Sequence, residues 1–388
     1  MRRLALGLLL ALLIGGAYLL AFGSRHLEPR INTLAHAAPY AASARATQLH
    51  QRLIVADLHA DTLLWSRDLL ERASYGHVDV PRLIQGNVAV QVFAAPTKTP
   101  RGLNYERNPA NSDMLTALLV LQRWPPATWT SLTERALYQA RKLREAAARS
   151  NGALVLIESA SGLDRYLARH QQERDTVGGV LAIEGLHALE GKLSQLDALY
   201  EAGYRMMGLT HFFDNEVGGS AHGIEKGGLT EFGRSVVRRM EELRITVDLA
   251  HASPTVINDV LEISSRPVIV SHTGVKGTCA GTRNLSDEHV RRIARSGGVI
   301  GIGFWGGPVC GIEPASIARA IRHTVGVAGV DHVALGSDFD GATRTAFDAS
   351  GLARLTEALL AEGFSEGEIH KIMGMNQLRL LRQALPPN

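Results

Sequence analysis

The chain reads as α/β: a (β/α)8 TIM-type barrel with an N-terminal membrane segment. Three observations carry that reading. Short apolar runs alternate with amphipathic stretches from Leu53 onward, the pattern of a parallel sheet covered by helices. Six of the runs end in a residue that can bind a metal or move a proton: Ile54–Asp61 (bearing His59 and Asp61), Val180–Glu184, Met206–His211, Ile245–His251, Pro267–His272 and Val333–Asp338. Strand tips that converge in this way mark the C-terminal face of a parallel barrel, where catalytic groups collect. Finally, Arg2 and Arg3 precede the uncharged run Leu4–Phe22.

Taken in order, that run is long enough to matter. At about 1.5 Å per residue a helix over it spans roughly 28 Å, close to a bilayer core. Its positive flank comes first, so the rest of the chain is expected outside the cytoplasm, on the periplasmic or extracellular face. Residues 1–23 are read as an uncleaved anchor, with a signal peptide cut near Ala21-Phe-Gly23 and secretion as the alternative. Residues 24–47, rich in Ala with scattered Arg, His and Pro, read as a linker. Residues 48–388 are expected to form the barrel.

Further strands are expected at Val88–Ala94 and Gly298–Phe304, and a peripheral one at Ala153–Ile157, whose end carries no reactive group. Helices are expected after Thr230 and after Ser286, each a suitable N-cap. A doubly wound open sheet should carry a glycine-rich phosphate loop after its first strand. Here that strand ends in His59-Ala-Asp61, and the Gly301–Gly307 cluster comes late, so it is read as strand packing followed by a loop.

Composition excludes little but guides partners. The chain has 388 residues, 45% hydrophobic and 20% charged, with net charge +3. No dense basic tract supports nucleic-acid binding. Cys279 and Cys310 are the only cysteines. They could pair in an oxidising compartment, but the reading adopted is two inert thiols.

The residue types at the strand ends suit zinc or a similar divalent ion. His59 and Asp61 are two apart on a strand and share a face, so both can turn onto one ion. Glu184 can bridge two ions with its two oxygens. His251 and His272 supply neutral imidazoles for the second. Asp338 is left to take the proton of the attacking water and return it to the leaving amine. His211 is suited to polarise a substrate carbonyl, and Arg283, in the loop after the His272 strand, to hold a substrate carboxylate. His187 and His222 lie in loops that could reach the site. His36 and His50 are expected to be solvated, and His77, His289, His323 and His370 to lie on the surface.

These residues resemble the membrane dipeptidase (renal dipeptidase, peptidase M19) family. The series His59-Ala-Asp61, Ile183-Glu-Gly185, Leu209-Thr-His211, Val247-Asp-Leu-Ala-His251, Ile269-Val-Ser-His272, Arg283-Asn-Leu and Gly336-Ser-Asp338-Phe-Asp-Gly341 runs in the family's order. The resemblance implies a dipeptide-hydrolysing barrel with two Zn2+ per chain. It implies His59 and Asp61 on one zinc, Glu184 bridging, and His251 and His272 on the other. His211 and Arg283 would bind substrate, and Asp338 would be the acid/base. Ala60 departs from the family, where Asn is frequent. Loops 103–129 and 306–314 are expected to shape the pocket. The competing readings are another binuclear hydrolase on the same barrel, acting on a lactam, lactone or phosphoester, and an inactive membrane-tethered binding protein. A homodimer is allowed for.

Overall fold

The computed structural model describes Gly23 and residues 26–388. The Leu4–Phe22 run expected to be an anchor lies outside the described residues. Among those described, no helix is long and apolar enough to cross a membrane.

Eleven strands are described: β1 Thr33–Leu34, β2 Val55–Ala60, β3 Val88–Pro96, β4 Leu154–Leu156, β5 Val177–Glu184, β6 Tyr204–Gly208, β7 Thr246–Asp248, β8 Ile269–Thr273, β9 Val299–Ile302, β10 Val333–Leu335 and β11 Arg344–Thr345. Eight of them pair in parallel in the order β10-β9-β8-β7-β6-β5-β3-β2, with β4 attached only to β5. A parallel bridge between Ala60 and Phe339 brings the two ends of the path together, and Asp61 N donates to Phe339 O at 2.9 Å. The result is a nearly closed barrel of the TIM type. All six runs with reactive endings are barrel strands, and Ala153–Ile157 is peripheral as expected.

The strands form where the sequence is Val- and Ile-rich and buried on both faces, as parallel strands under helices must be. Two glycines permit the barrel's close packing. A Cβ at Gly301 or at Gly336 would overlap Ser271 O of β8. The outer helices start where the caps predict: Thr230 Oγ1 accepts from Gly233 N at 2.9 Å and Ser286 Oγ from His289 N at 3.2 Å, satisfying donors that a helix start leaves unpaired.

Several expectations change. The described part of the 24–47 stretch is packed against the barrel: β1 pairs with β11, Glu28 is buried, and Ala44–Arg52 is helical. His50 is buried, held between Thr356 Oγ1 and Gly86 O, because its helix packs onto the barrel. His77 is fully buried rather than on the surface, and its Nδ1 accepts from Asp340 N at 3.0 Å. His289, His323 and His370 are half-buried. Cys279 and Cys310 are not separate thiols but a disulfide, with Cα atoms 5.4 Å apart. It ties the loop after β8 to the segment after β9, which sequence distance alone could not place side by side.

Candidate metal centre

The eight residues singled out from the sequence meet at the C-terminal ends of the barrel strands, all buried. Glu184 ends β5 and is the hub. Its Oε1 lies 3.1 Å from His251 Nε2, 3.3 Å from His272 Nε2 and 3.6 Å from His59 Nε2. Its Oε2 lies 3.2 Å from His211 Nε2. His59 Nε2 is also 3.2 Å from Asp61 Oδ1 and 3.9 Å from Asp338 Oδ1. Three trios have ligand atoms within 4.8 Å of one another: His59, Glu184 and His272; Glu184, His211 and His251; His59, Asp61 and Asp338. His211 therefore comes as close to the hub as His59, His251 and His272.

Local geometry aims these groups. Gly185 has φ +94°, and a Cβ there would collide with the His187 ring and crowd His211. Only glycine takes that turn without strain. His251 and Asp338 themselves have φ of 61° and 57°, a costly conformation for residues with a side chain that recurs at functional sites. A Cβ at Gly341 would overlap Asp338 Oδ1, so glycine there leaves the carboxylate its room. Two of the outer ring nitrogens are held by protein groups: His211 Nδ1 by Lys98 O at 3.3 Å and His272 Nδ1 by Ser271 Oγ at 2.9 Å. Such contacts turn Nε2 inward, as around bound metals.

The electrostatics fit a cation. Burial holds His211, His251 and His272 well below the usual imidazole range, so each presents a neutral ring. Burial, reinforced by Asp61, raises Glu184 and Asp338 well above the carboxylate range. Burial opposes charge on His59 too, yet Asp61 and Glu184 push it up to about 10. The His251 and His272 Nε2 atoms face each other at 3.0 Å, and Asp61 Oδ1 has no hydrogen-bond partner. Three neutral imidazoles, the His59 ring and three carboxylates converge on one place, a nitrogen and oxygen donor set that suits divalent ions. The residues fit the metal the sequence called for.

Arg283 is buried at the same mouth. Its Nη2 donates to His272 O at 2.5 Å, its guanidinium lies 5.6 Å from the Trp305 ring centroid, and its Nε has no partner. A cavity of about 460 Å3 opens over Asp61, Glu184, His211, His251 and Asp338 and is closed by Tyr105, Phe212 and Trp305. Leu103–Tyr105 and Gly306–Ile312 contribute to it, so both loops expected to shape the pocket do so.

His222 does reach the site: its ring is 5.2 Å from that of His251 and its Nδ1 is held by Tyr105 O at 2.7 Å. His187 is buried, bonded through Nε2 to Thr97 Oγ1 at 2.9 Å, and lies behind Gly185. Sequence reasoning missed Asp57 and Asp248. Asp57 accepts from Ser337 N and Oγ and from Gln91 Nε2, and Asp248 from Ala250 N and Ser271 N. Both brace the strands that carry ligand candidates. Their signal was present: each is an acid inside an apolar run.

The model of the membrane dipeptidase family, peptidase family M19, matches residues 43–385. An uncharacterised protein of Klebsiella pneumoniae, encoded in the pqqA 5' region, is 31% identical over 255 residues, covering 62% of this chain and 92% of that protein. Dipeptidase 3 of Mus musculus is 28% identical over 326 residues, covering 79% of this chain and 63% of its own. Among solved structures, the M19 metallopeptidase described as dipeptidase AC superposes with TM-score 0.70 and 27% identity, covering 86% of this chain and 99% of its own. A Rhodobacter sphaeroides metallopeptidase liganded with a phosphinate mimic of L-Ala-D-Ala gives the same TM-score, identity and coverage. With its family match spanning nearly the whole barrel and a histidine–carboxylate cluster at the mouth, this chain belongs to peptidase family M19, the membrane dipeptidase family of metal-dependent hydrolases.

Proposed function

We propose that the chain is a dipeptidase that uses two zinc ions. His59 and Asp61 would hold one, His251 and His272 the other, and Glu184 would be shared between them. The observation that carries this reading is the position of the Glu184 carboxylate among four imidazole Nε2 atoms. The pairing is the one the family resemblance implies, and it is supported by His251 and His272 both lying near Oε1 and by Asp61 lying 3.2 Å from His59. When bound, the ions supply Lewis acidity that polarises the peptide carbonyl and makes a water acidic enough to attack it.

The chain's own groups do the rest. Asp338, whose carboxyl holds a proton more readily than usual because of burial, takes the proton of the attacking water and passes it to the leaving amine. His211 lines the cavity, and its contact with Lys98 O is long at 3.3 Å. Its Nε2 edge faces the cavity beside Glu184 Oε2 and is the group assigned to the substrate's carbonyl. Arg283, with Nε unpartnered, binds the free carboxylate of the dipeptide. Phe212, Tyr105 and Trp305 exclude bulk water.

Elemental analysis of protein purified without chelator should give about two equivalents of zinc or a substitute, the complement of a binuclear hydrolytic site. His251→Ala and His272→Ala should each lose mainly one equivalent and abolish turnover. A dipeptide panel should be hydrolysed, and C-terminal amides of the same dipeptides should be poor substrates. Full activity in metal-free protein would end this reading.

We further propose that residues 1–23 anchor the enzyme with its barrel outside the cytoplasm. The support is the uncharged Leu4–Phe22 run behind Arg2 and Arg3. The protein should then resist carbonate extraction from membranes, and an N-terminus beginning near Ser24 would show cleavage instead.

A further inference from the structure

The catalytic cavity is not the larger void at the barrel mouth. A second cavity of about 870 Å3 adjoins it. The two share Asp61, Leu103, His211, Phe212, Gly341 and Ala342 as common wall. Beyond that wall the second cavity is enclosed chiefly by Ile31, Leu64, Trp65, Leu115, Leu118 and Leu121. Its polar lining is largely spoken for: Asp113 accepts from Arg135 and Thr116, and Arg101 is exposed. Leu27, Leu103 and Met114, which also line it, are 37%, 41% and 49% exposed. Large apolar side chains gathered around an open void mark a place where something apolar binds. Leu27 and Ile31 of this wall precede residue 43, where the family match begins.

Orientation decides which part of a substrate enters. Arg283 stacks near Trp305, and Trp305 Nε1 donates to Tyr105 OH at 2.8 Å. Trp305 and Tyr105 line only the catalytic cavity. The second cavity opens instead past Asp61, His211 and Phe212. A dipeptide with its carboxylate on Arg283 and its peptide bond over Glu184 therefore turns its amino-terminal residue toward the second cavity. This step rests on the dipeptidase reading above.

We propose that this annex is the subsite for a long apolar chain carried by the amino-terminal residue of the substrate, so that the preferred substrates are lipophilic dipeptides. Its volume lies within the roughly 300–1,000 Å3 that encloses a drug-sized ligand, far more than the methyl group of an amino-terminal alanine needs. Each methylene that leaves water for such a wall adds binding.

The test compares kcat/KM of the full-length, metal-loaded enzyme in detergent for Ala-Gly, Leu-Gly and 2-aminodecanoyl-Gly, and for Gly-Ala and Gly-2-aminodecanoate. The expected result is a rise of at least about tenfold from Ala-Gly to 2-aminodecanoyl-Gly, the scale a few buried methylenes provide. The carboxyl-terminal series should show no such rise. Leu118→Trp, which fills the annex from a helix away from the reacting groups, should remove the gain and leave Ala-Gly within about twofold of wild type. Met114→Trp serves the same purpose should Leu118→Trp fail to fold. Turnover of Ala-Gly without any gain for the long chain would overturn the annex and leave the dipeptidase reading standing. A gain confined to the carboxyl-terminal series would overturn the orientation, and with it the proposal. Hydrolysis of no dipeptide at all would bring down both readings together.

Discussion

Asp338 and Asp340 stand two residues apart on one loop, both buried and both with left-handed backbone, at φ 57° and 63°. Their surroundings are opposite. Asp340 is saturated: Oδ1 accepts from His77 N at 2.6 Å, and Oδ2 from Arg67 Nη2 at 2.7 Å, Thr62 Oγ1 at 2.8 Å and Val78 N at 3.2 Å. Burial would raise it, but Arg67 and His77 outweigh burial and hold it below the usual carboxylate range. Asp338 stands 3.9 Å from His59 Nε2, outside hydrogen-bond reach, and burial with Asp61 nearby raises it. One carboxylate is spent on structure. The other is left undersatisfied, which is what a group that must gain and lose a proton requires.

Exchanging each acid for its amide should separate the two roles. Asp338→Asn keeps the shape but loses the base, so kcat should fall by about 10²–10⁴ while metal content stays near two and thermal stability does not drop. Asp340→Asn should do the reverse. It removes one partner of the buried Arg67, a change that typically costs about 3–5 kcal/mol, and Glu28, still on Arg67 Nε, places the expected loss at the low end. Denaturant unfolding and kcat, measured on both variants, check this. A stable Asp340→Asn with a collapsed kcat would mean that the comparison has been drawn the wrong way round.

The site was legible in the sequence because its ligand candidates sit at strand ends, where a short apolar run and its last residue are read together. His59, Glu184, His211, His251, His272 and Asp338 all follow that rule. The saturated cluster was not legible. It joins Glu28, Arg67, His77 and Asp340 across more than 300 residues, and each looks like an ordinary surface residue in its own neighbourhood. His77 misled for this reason: its segment is polar, and only the Asp340 loop buries it. The 24–47 stretch misled similarly. Its composition suggests a tether, but β1 pairs with β11 and Thr33 N donates to Thr343 O at 3.1 Å, so it straps the loop that carries Asp338. The cysteine pair depends on two loops meeting, which no local pattern records.

That strap offers the finest test of the contrast, because one guanidinium serves two carboxylates. Glu28 accepts from Arg67 Nε at 2.5 Å while Asp340 takes Nη2. Burial, with Asp340 adding to it against the pull of Arg67, raises Glu28 to about 7. A carboxyl whose folded value is raised from 4.5 to about 7 binds more protons folded than unfolded between those limits. Stability therefore falls as pH rises through that window. Asp340, held low, has the opposite sign: its contribution is present above its unfolded value and is lost only as pH drops toward its folded value. Glu28→Gln cannot titrate, so relative to its standing at pH 5 it should gain on wild type by about 2–3 kcal/mol by pH 8. Unfolding curves of wild type and Glu28→Gln at both pH values measure this. A Gln variant that instead loses ground as pH rises would show that Glu28 is ionised throughout, and that Arg67 is shared equally by the two acids rather than committed to Asp340.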